Sequence, residues 1–178
     1  GLKLNQAKSE FIPINCADVQ LTEVLQNFGG LQSTFPTTYL GLPISPTKLR
    51  LVHFQFIIDR IRSRLAGWKG KMMNMAARRM LVRAVLTALP VFAMTVLKVP
   101  KKILKEVDKT RGQFLWAHNE NVTGAKCKVA WGKVCLPVAK GGLGLLDLHR
   151  FSTALRLRWL WLSWQQLRRP WMNFPAPC

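Results

Sequence analysis

Carboxylates are scarce in this chain of 178 residues: 8 Asp and Glu stand against 27 Lys and Arg, a formal net charge of +19. That shortage excludes an ordinary mixed-sign surface, and self-repulsion on this scale calls for a polyanion to neutralise it. Nucleic acid fits first, an anionic membrane surface second. Closely paired cysteines are also missing. Cys16, Cys127, Cys135 and Cys178 are spread unevenly, which argues against a disulfide framework and for reduced thiols in an intracellular setting. No apolar leader follows Gly1, and the lack of an initiator Met suggests a chain that begins inside something larger. Long apolar runs are missing too. The nearest, "MLVRAVLTALPVFAMTVL" from Met80 to Leu97, contains Arg83 and Pro90. A span needs about twenty mostly apolar residues, so this segment reads as a buried helix broken at proline.

The few acids constrain catalysis. They are Glu10, Asp18, Glu23, Asp59, Glu106, Asp108, Glu120 and Asp147. Two-metal phosphoryl chemistry needs carboxylates gathered at one point. Only Glu106 and Asp108 are near neighbours, and a two-residue step on a helix turns them apart. Ion pairing with Lys102 and Lys105 is the role expected of them. His53, His118 and His149 form no triad with a nucleophile. A zinc set of His118, Cys127, Cys135 and His149 has suitable ligand types but no Cys-x-x-Cys anchor, and two inert thiols explain the cysteines as well. The "GGLG" at 141–144 lacks a Walker lysine and reads as turn glycines. No catalytic and no metal-ligating residue is therefore assigned.

What the chain does have is 49% apolar residues in helical spacing. Residues 2–15 suggest two short strands joined by "NQAKSE", and 19–28 a helix capped by Asp18. Pro36, Gly41, Pro43 and Pro46 punctuate a hairpin. From Leu49, an apolar stripe of Leu51, Phe54, Ile58, Ile61 and Leu65 predicts a helix that ends at Gly67. Asn74 is the expected cap of a helix running to Leu89, and Pro100 opens another over Lys101–Trp116. Residues 117–126 read as a loop, "CKVAWGKVCLP" and "GGLGLLDL" as extended or turn segments, and Phe151–Arg169 as a Trp-rich last helix packed in a core or against another domain. The expected class is α-rich α+β, with short N-terminal β elements followed by a helical bundle and that terminal helix.

Cations recur beside the apolar stripes, so the helices can pack while turning charge to one side. Arg50, Arg60, Arg64, Arg79 and Arg83 are expected to meet phosphates without sequence choice. Trp68, set between Gly67 and Lys69 with Lys71 beyond, reads equally as a base-stacking platform and as a core anchor.

Several phrases together resemble the reverse transcriptase region of plant LINE-type (non-LTR) retrotransposons. They are "GLKLNQAKSEF", "TTYLGLPIS", "RLAGWKGKMMNMAARRMLVRAVLTALPVFAMTVLKVPKKILKEVDKTRGQFLW" and "KVAWGKVCLPVAKGGLGLLDLHRFSTALRLRWLW". The likeness runs in order along essentially the whole chain. It implies an end-of-palm and primer-grip segment over residues 1–47, a thumb-like helical segment over 48–116, and a linker-like segment over 117–178 that precedes the family's zinc-binding region. Tyr39, Leu40, Gly41, Leu42 and Pro43 match the primer grip, which positions the primer 3′ end. In this picture Tyr39 and Leu42 root the hairpin in the core and Pro43 fixes its turn. The family's catalytic aspartates, which hold Mg, would lie before Gly1. The implied partner is an RNA–DNA or DNA duplex, and the rest of a reverse transcriptase is a second. The setting is intracellular, with the nucleus as one compartment, and a membrane is not an expected partner. A reverse-transcriptase-like chain without those acids is expected to bind template–primer but not to polymerise. A non-functional relic and a membrane-surface protein are the rival expectations.

Overall fold

In a computed structural model, the described residues are 3, 5, 9–14, 16, 22, 23, 26, 31–67, 72–117 and 129–165. The expected helix over 19–28 and the start of the expected first strand fall largely outside them. The chain divides into two units, Gly1–His53 and Phe54–Cys178, and its class is α-rich α+β.

The first unit contains two small sheets. Strand β1 (Glu10–Phe11) pairs in parallel with β2 (Leu31–Gln32). The partner of Glu10 thus comes from beyond the next segment, and the first of the two strands expected within residues 2–15 falls largely outside the described residues. Parallel pairing requires a long connection, and the nineteen residues between Phe11 and Leu31 supply it. Strands β3 (Thr37–Tyr39) and β4 (Leu42–Ile44) form an antiparallel hairpin, with Tyr39 opposite Leu42 and Thr38 opposite Pro43. Glu10 ties the two sheets: its Oε2 accepts a hydrogen bond of 2.6 Å from the Thr37 hydroxyl.

The second unit is helical. After a 3-10 turn at Leu51–Phe54 comes α1 (Gln55–Ala66), whose Ile57, Ile58, Ile61 and Leu65 are buried. Helix α2 (Met75–Leu81) starts as expected at Asn74, whose Oδ1 accepts from the Ala77 N–H at 2.8 Å. It widens into a π turn at Val82–Leu86, and α3 (Val91–Val96) follows Pro90. The apolar run 80–97 is thus broken at proline, and no helix among the described residues is long and apolar enough to cross a membrane. Helix α4 (Lys101–Ala117) lies at the centre, burying Ile103, Leu104, Val107, Phe114 and Leu115.

Two expectations fail beyond α4. Residues 131–134 form a short helix, α5 (Trp131–Val134), not an extended segment, because Ala130 O accepts from both Lys133 N and Val134 N. The chain then folds back on α5 through Leu143 N→Val134 O and Gly144 N→Leu136 O bonds. Glycine is required at 142, where a Cβ would lie 2.1 Å from Leu136 O. The last helix, α6 (Leu148–Trp164), begins a turn earlier than its apolar pattern suggested. Asp147 Oδ1 caps it by accepting from His149 N (2.9 Å) and Arg150 N (3.2 Å).

Candidate nucleic-acid interface

The hairpin tip is built by backbone chirality. Tyr39 and Leu42 close a two-residue loop in which Leu40 (φ 50) and Gly41 (φ 77) both lie in the left-handed region. Two such residues make the turn whose twist matches the flanking strands. Gly41 enters that region freely; for Leu40 it is strained by about 1–2 kcal/mol. In a hairpin of this length the closing pair is hydrogen-bonded and the next pair is not. Pro43, in that next pair, therefore omits its N–H without breaking the ladder.

Two expectations about this loop are corrected here. Pro43 sits in the strand, one residue past the turn, so Leu40 and Gly41 shape the turn instead. Leu42 is buried, but Tyr39 is 62% exposed and Leu40 73% exposed. Of this opposed pair only the β4 residue is rooted. The tip instead presents an aromatic ring and an aliphatic side chain to the outside, with Gly41 between backbone segments of fixed geometry. Arg50 follows in the same unit, exposed, in a turn closed by Arg50 N→His53 Nδ1 (3.1 Å) and His53 N→Arg50 O (3.1 Å).

The cations of the second unit sort into three kinds. Arg60 and Arg64 are exposed and one helical turn apart, so they share a face of α1, and Arg83 is exposed in the π turn. Among the described residues the ion pairs are Arg62–Glu106 (3.6 Å), Arg111–Asp108 (2.6 Å) and Arg150–Asp147 (3.7 Å). Arg60, Arg64 and Arg83 have no carboxylate partner there. The expected pairing of Glu106 and Asp108 with lysines gives way to arginines: α4 turns the two acids apart, Glu106 to Arg62 of α1 near the surface and Asp108 inward to Arg111. Arg79 is of the second kind, half-buried, with Nε donating to Leu143 O at 2.9 Å. Trp68, Lys69 and Lys71 lie outside the described residues, as do His118 and Cys127 of the zinc alternative. Among the described residues no three metal-ligating side chains gather.

The third kind escaped sequence reasoning. Arg111 is fully buried. Its Nη1 donates to Asp108 Oδ1 (2.6 Å) and to Leu146 O (3.1 Å), its Nη2 to Thr87 Oγ1 (2.8 Å), and its guanidinium lies 5.2 Å from the Trp131 ring centre. Burial pushes the Asp108 carboxyl above its ordinary range and the Arg111 guanidinium below its own, and each opposes the shift of the other. The Trp131 indole N–H also favours the Asp108 carboxylate, though it falls short of hydrogen-bond geometry. Arg78 is buried as well, with Nε 3.5 Å from Asn74 O and Nη1 unpartnered. The available signal was weak: Asp108 and Arg111 are spaced i, i+3 on α4, among other polar residues such as Lys109, Thr110 and Gln113. Trp131 and Leu146 join them only through the fold.

The last helix departs from one of its two expectations, packing in a core. Trp161 and Trp164 are exposed, Trp164 to 72%, and Trp159 is partly exposed with its Nε1 donating to Thr95 O at 2.9 Å. Within this unit α6 buries Leu148 and Ser152 at its start and leaves its tryptophan end uncovered.

Comparison with known proteins agrees with the plant character of the resemblance. Over 133 residues the chain is 32% identical to a protein of Arabidopsis thaliana named "Putative ribonuclease H protein", a match covering 73% of this chain and 21% of that protein. Over 69 residues it is 38% identical to an uncharacterized mitochondrial protein of the same plant, covering 38% of this chain and 44% of the relative. The chain thus spans about a fifth of the first relative and under half of the second. No family model matches, and no solved structure does.

Proposed function

We propose that this chain is a retroelement-derived segment from the reverse transcriptase region of a plant LINE-type element. It binds template–primer duplex through phosphates, without base readout, and does not itself polymerise. Similarity to two Arabidopsis proteins, one named for ribonuclease H, supports retroelement origin coarsely. The finer assignment rests on the ordered phrases of the sequence.

One observation carries the binding function: Arg60, Arg64 and Arg83 are exposed without carboxylate partners among the described residues, in a chain of net charge +19. Unpaired guanidiniums on packed helices are ready to displace counterions from a phosphate backbone at little cost in ordering. The hairpin supplies a different property. A tip with fixed backbone and an exposed Tyr39 and Leu40 can abut a primer terminus, where sub-ångström placement decides reactivity. Polymerisation would need an acidic pair and Mg, and five of the six described acids are engaged with other groups: Glu10 with Thr37, Asp59 with Gln55, Glu106 with Arg62, Asp108 with Arg111, Asp147 at a helix cap.

Titration of duplex binding against salt tests this. Replacing Arg60, Arg64 and Arg83 with Gln should lower the slope of log affinity against log salt by up to about 2.7, at roughly 0.9 for each phosphate left without its arginine. A folded triple variant with the parent slope would remove these residues from the interface. A folded parent chain that ignores duplex at low salt would remove the function.

A further inference from the structure

The π turn at Val82–Leu86 needs an explanation, since an i→i+5 turn is rare and persists where something holds it. Thr87 does so twice. Its backbone N–H donates to Val82 O at 3.0 Å and its hydroxyl to the same oxygen at 2.7 Å. With its one proton used there, the hydroxyl oxygen keeps lone pairs, and Arg111 Nη2 donates into them at 2.8 Å. Asp108, Leu146 O and the Trp131 ring fix the guanidinium in turn. Thr87 and Arg111 are both buried, so water cannot substitute for either. Arg83 is the residue after Val82, and it is exposed.

We propose that Arg111, a cation with no surface of its own, acts with Thr87 as a positioning device for Arg83. Resting on the duplex-binding function above, the inference identifies how one phosphate contact is aimed. A carbonyl pulled into an i→i+5 bond changes the angular spacing of the residues that follow it. The direction in which Arg83 leaves the helix is therefore set by whether Thr87 grips Val82. Arg111 keeps Thr87 in the rotamer that grips.

A double-mutant cycle tests this on the full chain, with a fluorescent template–primer duplex titrated across salt. Thr87→Val keeps the shape and removes the hydroxyl; Arg83→Gln removes the cation. Each alone should lower the salt slope by about 0.9, and the pair together should lower it no further, because both delete the same phosphate interaction. Thr87→Ser, which restores the hydroxyl, should return the parent slope. Additive losses, or a Thr87→Val chain that binds like the parent, would overturn the proposal while leaving duplex binding intact. A parent chain that binds no duplex would overturn both. Should Thr87→Val lose its cooperative melt, the cycle is run with Arg111→Lys, which keeps the charge and withdraws the guanidinium fork from Thr87.

Discussion

The two units reach order by opposite means. Among the described residues, Leu42 is the buried apolar side chain of the first unit, whereas Phe54 through Leu148 supply eighteen in the second. The described residues of the first unit show turn chemistry and strands of two or three residues, a combination that is marginal by itself in water. The second is held by burial, and it places a charge network inside the apolar mass. Apolar side chains at the tip of a lightly buried hairpin are available to something outside. Cations on a well-buried bundle are held at fixed positions. Under the duplex binding proposed above, the small unit would touch the primer end and the large unit would grip phosphates.

Removing Arg111 should break the comparison most severely. Arg111→Ala leaves the Asp108 carboxylate without its counter-charge and deprives Leu146 O and Thr87 of a donor. Loss of one partner of a buried pair destabilises by about 3–5 kcal/mol, read as a fall in the urea midpoint of the second unit. Arg111→Met with Asp108→Leu should recover most of that loss, since an apolar pair of similar volume carries no stranded charge. If the single variant melts like the parent, the network is not what organises the core.

That network also marks how far the sequence could be read. Apolar spacing at three and four residues was enough to find α1, α2 and α4, because a buried stripe on a helix leaves a periodic trace. Asn74 and Pro90 were legible for a local reason: capping and the missing proline N–H act within a few residues. Arg111 was not legible, since an arginine's burial depends on acceptors at Thr87, Asp108 and Leu146, two of which are far away in sequence. Cations look alike in a sequence; only the fold sorts Arg60 and Arg64, turned outward, from Arg111, turned inward. Tyr39 failed similarly. It stands directly opposite Leu42 and shares a sheet face with it, yet only Leu42 is covered, and the leucine at 40 gives no hint of a left-handed conformation.

Leu40 allows the comparison to be sharpened in the other unit. Leu40→Asn places at the left-handed position a residue that tolerates it, and should stabilise the hairpin by about 1 kcal/mol. Amide exchange at Tyr39 and Leu42 should slow about fivefold, while the urea midpoint of the second unit stays put. If the leucine serves contact, the same change should weaken binding to a recessed primer end more than to blunt duplex. Equal effects on both would leave Leu40 a strained residue without a contact role.

The smallest effect concerns Cys135, partly buried between α5 and the returning turn, whose thiol is pushed up to about 11, first by burial. The folded state holds this thiol protonated where an unfolded chain would release the proton near 9. Its contribution to stability is therefore complete below pH 9 and is lost as pH rises toward 11. In a chain with Cys16, Cys127 and Cys178 replaced by Ala, alkylation of Cys135 should climb about tenfold per pH unit from 7 to 10 and level off near 11. Arg111→Met with Asp108→Leu, which leaves no stranded charge, should slow it further at every pH below that plateau, because Arg111 favours the thiolate more than Asp108 opposes it. A rate that levels near pH 9 instead would mean that the fold around α5 opens far more readily than the rest of the second unit, and the contrast between the two units would then be one within the larger.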